Sequence, residues 1–303
     1  MIKTARQLKD KVKNLVGDSN LNNKSQTMVR NFIMERFLER ISQSEYRENF
    51  ILKGGMLVAS LIGLDMRATM DIDTTVRSLP LTMPEAEKII NEIIKVPVDD
   101  RIEFEVLQTS NIMEEHDYPG IRFTLRARFD KMKEDIKIDI STGDVITPTA
   151  VMYSYKLMFE ERTIPIYTYN IETLLAEKLE TVMARGTANT RMRDFYDIHV
   201  ILEQEKDSIV IENLKKAFLA TSQKRVTVHL IPRFYEILEE INQSELMERY
   251  WNNFKSHCFF VGDLTWQDVL ISTSELAELT IYTQDMTIQQ EQEEQEEFDM
   301  TMV

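Results

Sequence analysis

The chain has 303 residues and a formal net charge of -15, from 51 Asp and Glu against 36 Lys and Arg. That balance disfavours broad, non-specific binding to nucleic-acid duplexes. Hydrophobic residues at 43% and charged residues at 29% fit an ordinary globular protein. No stretch approaches the ~18 uncharged apolar residues of a membrane span. The single Cys258 closes no internal disulfide, which leads us to expect a reducing cytoplasm.

Charge is unevenly spread. Residues 1–50 hold ten Lys or Arg against six Asp or Glu, so that end is positive. Residues 285–303 hold seven acids (Asp285, Glu291, Glu293, Glu294, Glu296, Glu297, Asp299) and no base. An acidic body of this kind still leaves room for local capture of a nucleotide or an RNA end.

Residues 1–46 are predicted to form two helices. The first is amphipathic through Ile2, Ala5, Leu8, Val12 and Leu15, without the apolar core of a secretion signal. The second carries Val29, Phe32, Ile33, Phe37 and Ile41 at helical spacing. A short apolar strand over 49–53 stops at Gly54-Gly55, and a short buried helix is expected over 56–64. Met70–Val76 reads as a strand. Pro84 opens a helix over 84–95, since proline is well tolerated in a first turn. Strands follow over 102–106, 121–129 and 136–140. In the second of these, Ile121, Phe123, Leu125, Ala127 and Phe129 alternate with Arg122, Thr124, Arg126 and Arg128. Residues 142–170 look irregular, with turns at Pro148 and Pro165. From Asn170 onward only helices are expected, over 171–185, 191–204, 208–222, 227–242, 244–257 and 265–279. The Gln/Glu-rich residues 284–303 have the composition of a disordered tail.

The expected fold class is α+β: a mixed-sheet lobe with flanking helices, followed by a helical bundle lobe. The expected division is 1–46 as helices packed on the first lobe, 47–160 as the α/β lobe, 161–283 as the helical lobe completing a cleft, and 284–303 as the acidic tail.

The carboxylates carry the chemistry. In Asp71-Ile72-Asp73 the two-residue period of a strand puts both acids on one face. Like charges side by side repel, and a hard divalent cation such as Mg²⁺ would relieve that cost. An isolated DxD also fits a solvated acidic strand end. On the 136–140 strand, Ile136, Ile138 and Ile140 share one face, so Asp139 lies on the other; alone it also fits an ordinary exposed residue. If the two strands are neighbours, three acids converge as two metal ions on a triphosphate and an attacking hydroxyl require. Gly54-Gly55 sits at a strand-to-helix turn, where bare backbone can approach phosphate oxygens.

On the 171–185 helix, Lys178 falls inside the apolar stripe and Arg185 lies on nearly the same face. An inward lysine must reach water by snorkelling or find an anion. Asp194 and Asp197 border the apolar stripe of the next helix. An acid in a first turn complements the helix dipole, which accounts for Asp194 better than for Asp197. A salt bridge from either to Lys178 suits both readings. The four histidines show no zinc spacing.

These residues resemble the AbiEii/AbiGii-type nucleotidyltransferase toxins, within the DNA polymerase β-like nucleotidyltransferase superfamily. The match is carried by Leu52-Lys-Gly-Gly55, Arg67-Ala-Thr-Met-Asp-Ile-Asp73, Ile136-Lys-Ile-Asp-Ile140, Glu172–Lys178 with Arg185, and Arg193-Asp-Phe-Tyr-Asp197. The resemblance implies a nucleotidyltransferase lobe followed by a helical lobe, NTP as substrate with Mg²⁺ (or Mn²⁺), and a cognate antitoxin partner in a toxin–antitoxin or phage-defence system. It implies transfer of NMP to an acceptor hydroxyl, with a tRNA 3′ end as the leading candidate, as in relatives similar to the MenT toxins. By motif, Asp71, Asp73 and Asp139 would bind metal, and these three with Lys178 and Asp194 would form the catalytic set. Lys53, Gly54, Gly55, Arg67, Thr69, Lys178, Arg185 and Asp197 would bind nucleotide. Several relatives have Gly-Ser where this chain has Gly54-Gly55, so a hydroxyl contact to phosphate is expected to be missing. Two alternatives stand beside this reading: a degenerate nucleotide- or partner-binding module of the same fold, and a nucleotide-sugar glycosyltransferase using Asp71-Ile-Asp73.

Overall fold

The apolar periods along the chain resolve into seven strands and their covering helices in the computed structural model, which describes residues 2–16, 21–63, 67–79, 82–113 and 119–281. The expected tail at 284–303 lies outside the described residues. The chain divides into two compact units, Met1–Asp144 with Thr149–Asn170, and Val145–Pro148 with Ile171 onward.

In the first unit, α1 (Ala5–Val16) and α2 (Leu21–Gln43) precede β1 (Phe50–Lys53), α3 (Gly54–Ile62) and β2 (Asp71–Val76). Then come α4 (Met83–Ile93), β3 (Ile102–Met113), β4 (Pro119–Phe129) and β5 (Met132–Thr142). The strands β6 (Val151–Lys156) and β7 (Thr163–Thr168) fill the segment expected to be irregular. The sheet order is β3-β4-β5-β2-β1-β7-β6. Strand β2 runs parallel to β5 and antiparallel to β1, and β1 runs parallel to β7, so the centre of the sheet is mixed. Pro165 is tolerated within β7 because the β1 pairing begins only at Tyr167, so no β1 partner needs its missing N–H.

Alternation sets which face is dry. On β4 and β5, Phe123, Leu125, Ala127, Phe129, Ile136, Ile138 and Ile140 are all buried, and Phe32 of α2 stacks on Phe129 with ring centroids 6.3 Å apart. The helix α1 buries Ala5, Leu8 and Val12, but Leu15, expected on the same stripe, is exposed.

Helix α2 departs from a one-sided stripe. Asn31, Glu35, Arg36, Glu39 and Arg40 are as buried as Phe32, Ile33 and Phe37. Burying such charges requires partners. Arg40 donates to both oxygens of Asp100 at 2.6 and 3.0 Å and to the Ile102 carbonyl at 2.7 Å. Arg36 pairs with Glu39 at 2.8 Å and with Glu160 at 3.3 Å. Glu35 accepts from the Met158 amide at 2.9 and 3.1 Å; burial nonetheless pushes its carboxyl up to about 8.

The second unit is helical: α5 (Ile171–Arg185), α6 (Met192–Glu205), α7 (Ile211–Lys224), α8 (Phe234–Asn242), α9 (Glu245–His257) and α10 over 266–281. The helix expected over 227–242 is split, because Val228–Arg233 is a 3₁₀ helix containing Pro232. Phe195 of α6 packs edge-on against Trp266 at 5.0 Å, and Trp251 lies 6.0 Å from the same ring. Glu180 is buried on α5, where Arg225 and Thr227 both donate to it. Among the described residues no helix is long and apolar enough to cross a membrane.

Candidate active site

Register brings the chemistry-bearing residues of the first unit into one row. Lys53 of β1 pairs with Asp73 of β2, Asp73 pairs with Asp139 of β5, and Asp139 pairs with Arg122 of β4. Directly opposed residues share a face, and neighbouring strands lie ~4.8 Å apart. Two acids therefore stand side by side between two bases. Asp71 lies one period away on β2, opposite Lys137.

The turn after β1 fits closely around Asp73. Gly54 adopts φ +65°, and a Cβ placed there would stand 2.2 Å from an Asp73 carboxylate oxygen. Only glycine meets both conditions. The first turn of α3 has no side-chain cap from Lys53, and the Gly55 amide donates to Asp73 instead. Burial, then repulsion from Asp139, pushes the Asp73 carboxyl up to about 6 against the opposing pull of Lys53; Asp71 adds to the rise. Desolvated acids with raised pKa are a recurrent mark of functional sites.

Thr69 and Arg67 are both buried behind the turn. A Cβ on Gly55 would lie 2.8 Å from the Thr69 hydroxyl and 2.9 Å from an Arg67 Nη. The hydroxyl expected to be missing at Gly55 thus has a counterpart supplied from Thr69, which also donates to the Asp71 carbonyl at 3.2 Å.

Two features shape the site beyond the expected residues. Arg122 grips both oxygens of Asp139, with Nε to Oδ1 at 2.7 Å and Nη2 to Oδ2 at 2.6 Å. Lys53 is held by Asp144 at 2.5 Å, and Asp144 also accepts from Tyr169 at 2.8 Å and Ser141 at 2.9 Å. Burial opposes ionisation of Asp144, but Lys53 with these hydroxyls holds its carboxyl below the ordinary range. Arg122 had a readable signal. Asp130-Lys131 forms a two-residue hairpin turn closed by the Phe129–Met132 pair, and counting back from such a turn sets Arg122 opposite Asp139. Asp144 and Tyr169 meet only through the tertiary fold, and neither lies in a recognisable pattern.

The three expected metal ligands thus lie on adjacent strands, with Asp73 and Asp139 in register. Among the described residues, however, no group of three or more His, Cys, Asp or Glu side chains is arranged to hold a metal ion. Both Asp139 oxygens are taken by Arg122. The donor chemistry suits a divalent cation: hard carboxylates, mutual repulsion, and an Asp73 already strained toward protonation. Mg²⁺ or Mn²⁺ would be held first by Asp71 and Asp73.

In the second unit, Lys178 is buried on α5 and pairs with Asp194 at 3.0 Å and Asp197 at 2.6 Å. Arg191 lies 3.2 Å from the other Asp194 oxygen, too poorly aligned for a hydrogen bond. Arg185 is partly exposed at the last turn of α5. His199 meets Ser272 at 2.7 Å.

Residues 36–272 match the family model of the nucleotidyl transferase AbiEii toxin of type IV toxin–antitoxin systems. No curated protein matches the chain. Among solved structures, a candidate nucleotidyltransferase of H. pylori aligns at 13% identity and TM-score 0.48, covering 86% of this chain and 97% of its own. JHP933 from Helicobacter pylori aligns at 14% identity and TM-score 0.47, covering 88% and 98%. An antigenic nucleotidyltransferase-like protein from Paracoccidioides brasiliensis aligns at 16% identity and TM-score 0.38, covering 72% and 94%. The family match favours nucleotidyl transfer over the nucleotide-sugar alternative.

Proposed function

The chain belongs to the AbiEii nucleotidyl transferase toxin family of type IV toxin–antitoxin systems, and we propose that its reaction is divalent-metal-dependent transfer of NMP from an NTP to an RNA 3′ hydroxyl, with tRNA as the acceptor. The observation that carries this reading is the in-register pair Asp73–Asp139, with Asp71 one period away and the Gly54-Gly55 turn closed over Asp73. A divalent ion there would neutralise triphosphate charge and lower the pKa of the acceptor hydroxyl.

The chain's own residues supply the positioning. Asp71 and Asp73 project from a rigid central strand, so their separation is fixed before any ligand arrives. Gly54 lets the backbone pass close to Asp73, and Thr69 offers a hydroxyl beside Gly55. Lys53, braced by Asp144 and Tyr169, sets a cation next to Asp73 in the row. In the helical unit, the Lys178–Asp194–Asp197 cluster, with Arg185 at the end of the same helix, is proposed to bind nucleotide. The toxin would act in the cytoplasm, restrained by its antitoxin, and would serve phage defence by blocking tRNA charging.

The test incubates the purified chain with α-labelled NTPs, Mg²⁺ or Mn²⁺, total RNA and cell protein. Label on tRNA that is lost in Asp71→Ala supports the proposal. Label on polypeptide would replace the acceptor, and NTP binding without turnover would favour a degenerate binding module.

A further inference from the structure

Arg122 belongs to none of the motifs that mark the site, yet it makes the strongest contact to one of its carboxylates. Its guanidinium takes both Asp139 oxygens in the parallel, two-point geometry that gives arginine–carboxylate pairs their strength. Its pKa is raised first by the hydrogen bond to Asp139, and Asp71 and Asp73 add to the rise at longer range. Arg122 is therefore a cation bound in the field of all three acids. A divalent ion would enter the same field, and two cations drawn to one carboxylate repel each other.

Exposure decides whether Arg122 can leave. Its side chain is 37% exposed and that of Asp139 is 19% exposed. Releasing it strands no buried charge, because the guanidinium can turn outward into water. The Arg40–Asp100 pair in the same unit has the same two-point geometry but is 4% and 1% exposed, and it is built to stay closed. Strand β4 places Thr124 and Arg126 beyond Arg122 on the same face, so no apolar side chain of β4 bars that movement.

We infer that Arg122 is an exchangeable counter-cation: it holds Asp139 while no metal is bound, and a metal ion gains Asp139 as a ligand only by displacing it. The exchange transfers no proton or electron. One guanidinium–carboxylate contact opens as one metal–carboxylate contact forms, and the freed Arg122 side chain, already 37% exposed, turns into water. The consequence is ordered loading, in which the Asp71–Asp73 position fills first and Asp139 is recruited second. The inference rests on the proposed metal-dependent reading of the same residues.

Equilibrium Mn²⁺ binding to the full chain without NTP, read by the electron spin resonance signal of free Mn²⁺, separates the two. We expect Arg122→Gln to bind Mn²⁺ about tenfold tighter or more than the unaltered protein, the scale on which a neighbouring charge shifts an ionisation. Adding Asp139→Asn should abolish that gain. Arg122→Lys keeps the charge but not the two-point grip, and should fall between; it also stands in if Arg122→Gln does not fold. Equal or weaker Mn²⁺ binding in Arg122→Gln, with binding still lost in Asp71→Ala, overturns the exchange and leaves the metal reading standing. Absence of Mn²⁺ binding in every variant overturns both.

Discussion

Asp73 and Asp139 sit opposite each other on parallel strands β2 and β5, on one face of the sheet, yet they are held in different ways. Asp73 is drawn under the Gly54 turn and takes the Gly55 amide. Asp139 is drawn the other way by Arg122. Without cations the pair would be two like charges about one strand spacing apart. Lys53 on one side and Arg122 on the other keep the row near neutral.

Gly54→Ala places a methyl against the Asp73 carboxylate at a left-handed φ of +65°. The backbone alone is expected to cost about 1–2 kcal/mol. Displacement of Asp73 by about 1 Å is expected to reduce transfer by ~10²-fold. Urea midpoints and initial rates measure both. Full activity in Gly54→Ala would mean that Asp73 is not positioned by this turn.

Gly55→Ser adds a Cβ 2.8 Å from the Thr69 hydroxyl and 2.9 Å from Arg67. The arginine end can shift, but Thr69, two residues before β2, is held by its bond to the Asp71 carbonyl. We expect lower NTP affinity in Gly55→Ser and recovery in Gly55→Ser with Thr69→Ala, because one hydroxyl then replaces the other. Affinity measured by calorimetry should show this non-additivity. Additive losses would mean that the two hydroxyls do not share a place.

Asp73, pushed up to about 6 by burial and by its neighbouring acids, gives stability a specific pH dependence. In the unfolded chain it titrates near ~3.9. The folded carboxyl keeps its proton to higher pH, so its contribution is fully present below about 4 and is lost as pH rises to about 6. The stability of Asp73→Asn relative to the unaltered protein should therefore improve across that window and level off above it. Denaturant midpoints from pH 4 to 8 read it. Metal binding needs the ionised carboxylate, so transfer should rise over the same window. An activity profile flat from pH 5 to 7 would contradict this assignment.

Lys178 lies between Asp194 and Asp197, with Asp197 fully buried. Lys178→Met should cost roughly 3–5 kcal/mol, because it leaves acids buried without their cation. Adding Asp194→Asn and Asp197→Asn should restore much of the stability. If the restored triple variant also regains transfer, the cluster is structural; if it stays inactive, the cluster acts on the substrate.

The sequence made the central strands legible because their two-residue period is strict. The alternation Ile121 to Phe129 and Ile136 to Ile140 states both strand type and buried face. Glycines at the β1–α3 turn were readable for the same local reason. Strands β6 and β7 were hidden by Pro165, whose turn signal is overridden because β1 is too short to need its amide. The charges of α2 gave no sign of burial, since Arg40 finds Asp100 sixty residues away and Arg36 finds Glu160 farther still. Asp139 is legible as an acid on the polar face of its strand. Its capture by Arg122 depends on a hairpin register that the apolar pattern does not specify by itself.

The most direct test of the metal site is a crystal of the chain grown with Mn²⁺ and a non-hydrolysable NTP, examined by anomalous scattering at the manganese edge. The account predicts a peak bounded by Asp71 and Asp73, with the triphosphate lying toward the Gly54-Gly55 turn. Manganese bound elsewhere, or an NTP bound away from these two carboxylates, would contradict it.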